Sequence, residues 1–159
     1  MTREEKFMGE ALRLAAQAGE EGEVPVGAVI VLGDTVVGRG RNGRERAKNA
    51  LCHAELEAIH AACDQLQGWR LWQCELYVTL EPCPMCAGAI INARIPRVVI
   101  GTMDPKAGSC GSVVDLFALP YNHSPEVVTG VRETECASIL TDFFRTLRLE
   151  KRGKYSRFT

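Results

Sequence analysis

A three-layer α/β/α fold, built on a mixed five-stranded sheet with helices on both faces, is what this sequence predicts. Two observations carry the prediction. Helical and strand patterns follow one another in the order helix, hairpin, helix, strand, helix, strand, strand, helix, and that alternation argues for a sheet covered on both sides. The chain has 159 residues, 46% apolar and 25% charged, enough for one domain with a real core and a concave site. It shows no internal repeat, low-complexity stretch or linker, so residues 1–159 read as a single domain.

The elements follow in order. From Arg3 to about Gly19, apolar Phe7, Met8, Ala11, Leu12, Ala15 and Ala18 recur at helical spacing between charges, and glycine-rich sequence ends the run. Val26–Leu32 and Thr35–Gly40 are rich in β-branched residues and flank Gly33-Asp34, which predicts a hairpin. Arg41–Cys52 reads as a loop. Ala54–Gln67 has helical composition, Glu75–Leu80 alternates as a strand, and Cys83–Ala93 is helical with Pro82 suited to its first turn. Arg97–Thr102 is a buried-strand candidate, Met103–Val114 with its glycines and proline is a loop, and Glu126–Val131 is a fifth strand. A long helix runs from Glu133 to about Arg152.

The longest apolar runs, Val26–Leu32 and Ala87–Ile91, fall well short of the roughly 20 residues that span a bilayer. The N-terminus leads into a charged amphipathic stretch rather than an apolar signal core, which predicts a cytoplasmic protein. Seven cysteines without a secretion signal, two of them in a Cys-x-x-Cys, favour metal or redox chemistry over disulfides. Cys52, Cys63, Cys74, Cys110 and Cys136 sit in apolar or small-residue contexts, where cysteine packs as a small hydrophobe. The net charge of −1 gives no global attraction to nucleic acid. Basic residues nevertheless crowd two segments, Arg39, Arg41, Arg44, Arg46 and Lys48 in one, Arg145, Arg148, Lys151, Arg152, Lys154 and Arg157 in the other.

The chemistry is carried by His53-Ala54-Glu55 and Pro82-Cys83-Pro84-Met85-Cys86, each opening a helix. The free N–H groups and positive potential of a helix start lower a cysteine's pKa and favour the thiolate that binds metal. His53, Cys83 and Cys86 offer one nitrogen and two sulfurs, which suits zinc and leaves a fourth tetrahedral position for water, the mark of catalysis rather than structure. His60 and His123 have no ligand-like spacing to the group. Glu55 is not needed as a ligand and is free to act as a proton shuttle, while zinc supplies an activated water as nucleophile near neutral pH. Taken alone, Cys-x-x-Cys fits a redox pair or a structural zinc knuckle equally well. The combination H-x-E…P-C-x-x-C is the zinc-deaminase signature.

Beyond that motif the chain resembles the bacterial tRNA-specific adenosine deaminases, the TadA type of the cytidine-deaminase-like superfamily, themselves a standard example of the signature. The resemblance rests on Val24-Pro25-Val26-Gly27-Ala28, Arg41-Asn42, His53-Ala54-Glu55, Tyr77 to Cys83, Met85 to Ala89, Arg97-Val98-Val99, Gly108 to Ser112, Asn122-His123 and Asp142-Phe143-Phe144-Arg145. It implies a cytidine-deaminase-like fold and hydrolysis of the wobble adenosine of a tRNA anticodon stem-loop to inosine, by a homodimer with one Zn2+ per subunit. It further implies that Asn42 bonds the flipped base while Val26 and Ala54 line its pocket. Asp104, Lys106 and Asn122 would lie along the anticodon loop, and Phe144 and Arg145 would touch neighbouring nucleotides. Cys110 departs from the alanine the resemblance leads one to expect.

The basic segments would supply phosphate contacts, and Phe144, Tyr155 and Phe158 stacking surface for unpaired bases. Core packing for the aromatics and helix-dipole complementarity for the final basic turns explain the same composition. Two other functions fit parts of the pattern: a zinc deaminase of a free base or nucleoside (guanine, cytosine or cytidine), which would not need the basic segments, and an inert zinc or RNA-binding module, which would not need Glu55. Ile90 and Ile91 suit either a subunit contact or a core.

Overall fold

A computed structural model of the chain describes residues 1–156, with side chains as far as residue 153. Arg157 and Phe158, and the side chains of Lys154 and Tyr155, lie outside the described residues. Helix α1 (Arg3–Glu20) starts at Thr2, whose hydroxyl accepts from Glu5 N at 3.1 Å, and buries Phe7, Met8, Ala11, Ala15 and Ala18 along one stripe. Strands β1 (Gly27–Leu32) and β2 (Thr35–Arg41) form the hairpin, turning at Gly33, whose φ of +63° suits glycine.

The segment expected to be a plain loop contains a short helix, α2 (Arg44–Ala47), which the sequence did not announce because its cap is remote. The Glu23 carboxylate, 2% exposed, accepts from Glu45 N at 3.0 Å and Arg46 N at 2.8 Å and so ties down the free N–H groups of that turn. Helix α3 (Ala54–Leu66), strand β3 (Cys74–Leu80), helix α4 (Pro84–Ala93) and strand β4 (Arg97–Thr102) follow. In α4 the proline of the first turn is Pro84, with Cys83 as the cap residue, so Pro82 precedes the helix rather than opening it. A 3₁₀ turn (Leu116–Ala118) leads to β5 (Glu126–Thr129), shorter than expected, and α5 (Glu133–Ser156), longer than expected.

The sheet order is β2-β1-β3-β4-β5. Pairs β1–β2 and β1–β3 are antiparallel, while β3–β4 and β4–β5 are parallel. Alternation along the strands builds two cores. Ala28, Ile30, Leu76, Val78, Val98 and Ile100 meet Ala54, Ala58, Ala87 and Ile90 of α3 and α4, whereas Val29, Val31, Tyr77 and Val99 meet Phe7, Met8, Ala11 and Cys136 of α1 and α5. The three-layer reading therefore holds. Ile90 and Ile91 belong to the first core, and Cys74, Cys110 and Cys136 are buried thiols, all seven cysteines being free.

Two glycines bring the chemistry into place. A Cβ at Gly40 would stand 2.0 Å from the Ala54 carbonyl oxygen, and one at Gly38 would stand 2.3 Å from that of Ala58. Only glycine lets α3 lie directly on β2, which carries its first residues to the edge where β3 ends. Among the described residues no helix is long and apolar enough to cross a membrane.

Candidate active site

The starts of α3 and α4 converge at the carboxyl end of β3, the customary place for a site in such sheets. His53 is the cap residue of α3, Cys83 that of α4, and Cys86 lies fully buried in the first turn of α4. Their ligand atoms all lie within 4.8 Å of one another, the one such group among the described residues. Zinc at about 2.3 Å from sulfur and about 2.0 to 2.1 Å from nitrogen, at tetrahedral angles, sets N and S about 3.6 Å apart. His53 Nδ1 lies 3.6 Å from Sγ of both Cys83 and Cys86. Both nitrogen–sulfur distances thus match those a bound zinc ion would require.

Charge is arranged to suit. The Cys83 thiol is pulled down to about 4, chiefly by a hydrogen bond from the Cys86 thiol and against the effect of burial, with His53 and the Cys86 backbone N–H adding to the pull. Cys86, donating that bond and buried, is pushed up. A divalent cation displaces such a proton on binding. Glu55, 4% exposed, is pushed up to about 7 by burial. A carboxyl titrating there both takes and gives a proton readily at neutral pH. The other two histidines lie elsewhere, His60 beside Asp64 on the surface of α3 and His123 with Nε2 2.6 Å from the Ile95 carbonyl oxygen.

A cleft of 480 Å³ opens onto this group. Val26, Asn42, Asp104, Lys106 and Phe144, five of the residues singled out from the sequence, line it. Asn42 is 8% exposed, and its Oδ1 accepts from Ala54 N at 3.0 Å. Because that partner is a donor, the amide oxygen must face it, which leaves the Nδ2 donors toward the cleft.

Three residues fall outside the cleft wall. Ala54 is fully buried beneath Gly40 and serves through its backbone N–H. Asn122 is exposed on a segment that His123 fastens to Ile95, ahead of the start of β4 and away from the end where the ligands gather. Arg145 is exposed and pairs with Asp142 at 3.4 Å, since a step of about 100° around α5 from Phe144 turns it aside. In the first basic segment, Arg41 and Arg46 are both held by Glu21, at 2.6 and 2.7 Å, leaving Arg44 at the cleft.

Sequence reasoning missed Glu81, Met103 and Leu140, all of which line the cleft. For Glu81 there was a signal: a lone acid directly after the apolar strand Cys74–Leu80 and before a proline.

Residues 1–102 match the family model of the cytidine and deoxycytidylate deaminase zinc-binding region, a stretch that includes His53, Cys83 and Cys86. Over 154 residues the chain is 47% identical to a tRNA-specific adenosine deaminase of Bacillus subtilis, covering 96% of each. The chain belongs to the tRNA-specific adenosine deaminase family. A second family member, from Agrobacterium fabrum, is 47% identical over 145 residues, 91% of this chain and 95% of its own. A solved structure from a study of A-to-I editing by tRNA:A34 deaminases at the wobble position superposes with a TM-score of 0.83 at 46% identity, over 85% of this deaminase and 99% of that chain. Zinc is the cofactor of this deaminase, and the fold is the cytidine-deaminase-like one.

Proposed function

We propose that this deaminase converts the wobble adenosine of tRNA to inosine, as a single zinc-dependent domain over residues 1–159 that acts on the anticodon stem-loop in the cytoplasm. His53, Cys83 and Cys86 hold one Zn2+ per subunit, which when bound supplies an activated water as nucleophile. The observation that carries the reading is the buried Glu55 beside that ligand set, in a cleft whose Asn42 offers donors to a base.

Glu55 accepts the first proton that the attacking water loses and passes it to the ring nitrogen, then takes the second from the added hydroxyl and passes it to the amine. Water thus adds at the amine-bearing carbon and ammonia departs, leaving inosine. Asn42 Nδ2 donates to a ring acceptor and holds the extruded base, with Val26 and Phe144 as apolar walls. Asp104 and Lys106 flank the loop nucleotides, and Arg44 is placed for a phosphate. Asn122 and Arg145, exposed outside the cleft, reach only nucleotides beyond the reacting one. A second subunit would cover the exposed Val113, Leu119 and Tyr121, which argues for the homodimer.

The test is incubation of zinc-loaded protein with a tRNA bearing a wobble adenosine, beside free adenosine, cytidine and guanine, following inosine and ammonia. Inosine confined to the anticodon supports the proposal. Ammonia from a free base or nucleoside alone would replace the substrate while keeping the zinc chemistry.

A further inference from the structure

Glu81 is 2% exposed at the end of β3, two residues before Cys83. Its Oε1 accepts from Asp104 N at 2.9 Å and from the Ser112 hydroxyl, and its Oε2 from Cys110 N at 3.0 Å and Ser112 N at 3.1 Å. Every donor belongs to the segment 104–112 that follows β4. The main chain adds two more ties: Glu81 N donates to Thr102 O at 2.9 Å, and Ser109 N donates to Pro82 O at 2.9 Å. Gly108 packs against the carboxylate so closely that a Cβ there would stand 2.2 Å from Glu81 Cδ.

The segment is also tied to the turn that follows it, with Gly111 N donating to Val114 O and Leu116 N to Ser109 O, and Cys110 packs in the first core. Asp104 Oδ1 accepts from Lys106 N and Ala107 N, and Asp104 O accepts from Gly108 N, which shapes a compact turn. Residues 104–107 of that turn form one wall of the cleft. A buried anion is costly unless donors surround it, and here four do. With those acceptor sites taken by the protein, the carboxylate has no free capacity for substrate. Glutamine replaces it poorly: with its NH2 on the Oε2 side it meets Cys110 N and Ser112 N, and on the Oε1 side it meets Asp104 N even when the Ser112 hydroxyl turns to accept.

We infer that Glu81 is a positioning residue for the deamination proposed above: its carboxylate locks the 104–107 wall in register with the Cys83 end of α4, so that a base entering the cleft is set against the metal group. The inference rests on that functional reading. Metal binding does not depend on Glu81, whereas substrate capture does.

The experiment compares wild type with Glu81→Gln by zinc content, hydrogen exchange at residues 104–112, and KM and kcat on an anticodon stem-loop. The expected result is one zinc retained, protection lost at Asp104, Cys110 and Ser112, and KM raised by about tenfold or more with a smaller change in kcat. Unchanged protection, an unchanged KM, or loss of zinc would each overturn it. If Glu81→Gln fails to fold, Gly108→Ala, which drives a methyl into the carboxylate, must reproduce the KM rise, and a normal KM overturns the inference instead. A wild-type protein inactive on the stem-loop would sink the functional reading; the exchange and zinc results then still decide whether Glu81 holds the wall.

Discussion

Asn42 separates two jobs that one side chain performs, and replacing it by aspartate or by alanine pulls them apart. Its oxygen satisfies Ala54 N at the start of α3, and its NH2 faces the cleft. In Asn42→Ala the buried Ala54 N–H loses its partner, which costs about 1 to 3 kcal/mol of stability. Asn42→Asp keeps the acceptor and adds a negative charge at a helix start, where it is favourable by up to about 1 kcal/mol. Stability therefore falls in the alanine variant and holds in the aspartate variant. Activity follows a different order. Both lose the donor to the base, worth about 1 to 3 kcal/mol or a factor of about 5 to 150 in kcat/KM, and aspartate adds repulsion between its carboxylate and the ring acceptor. The aspartate variant should thus be the more stable and the less active of the two. Thermal melting and kcat/KM on the stem-loop, at equal zinc content, measure this. An aspartate variant as active as wild type, or as unstable as the alanine variant, would refute the assigned amide orientation.

Other expectations follow from the same geometry. Glu55→Ala should retain its zinc and lose about 10² to 10⁴ in rate, measured by metal content and single-turnover kinetics; near-normal turnover would remove Glu55 from proton transfer. Glu21 binds Arg41 and Arg46 at once; Glu21→Gln should release both for phosphate and steepen the salt dependence of RNA affinity by up to about 1.4 in the log–log slope, two contacts at about 0.7 each. An unchanged slope would show that these arginines do not face RNA. Burial pushes the Cys136 thiol up to about 12, above an unfolded value of about 8.5. The folded state therefore favours the neutral thiol, and stability, complete below about pH 8.5, declines toward pH 12 at up to about 1.4 kcal/mol per unit for this group. Urea denaturation across that range should show a shallower decline for Cys136→Ala, and equal slopes would show that the thiol is not linked to folding.

What could be read ahead of the structure was what side-chain periodicity or spacing encodes. The helix of Phe7, Met8, Ala11 and Ala15, the hairpin at Gly33, and the meeting of His53 with Cys83 and Cys86 all belong to that class. What escaped depends on backbone groups far away in sequence. Glu23 caps α2 from 22 and 23 residues upstream, and Glu81 gathers N–H groups 23 to 31 residues downstream. The place of Glu81 after its strand could mark the acid itself, but nothing in a side-chain pattern announces the backbone partners of either residue. Counting arginines likewise overstated the free positive charge, since Glu21 neutralises two of them from 20 and 25 residues away. Phe144 and Arg145 are neighbours in sequence, yet the turn of α5 sends only Phe144 to the cleft.

The sheet's outermost strands are β2 and β5. Exposed rows of N–H and C=O groups invite a second chain to add itself as another strand, and short or charged strands resist this. Here β5 spans four residues, and β2 carries Arg39 opposite a β1 whose pairing is interrupted by a bulge between Ile30 and Val31. Both margins are therefore poor templates for polymerisation into fibrils. Neutralising Arg39 would weaken that guard on the longer margin and leave the protein more prone to aggregate on storage.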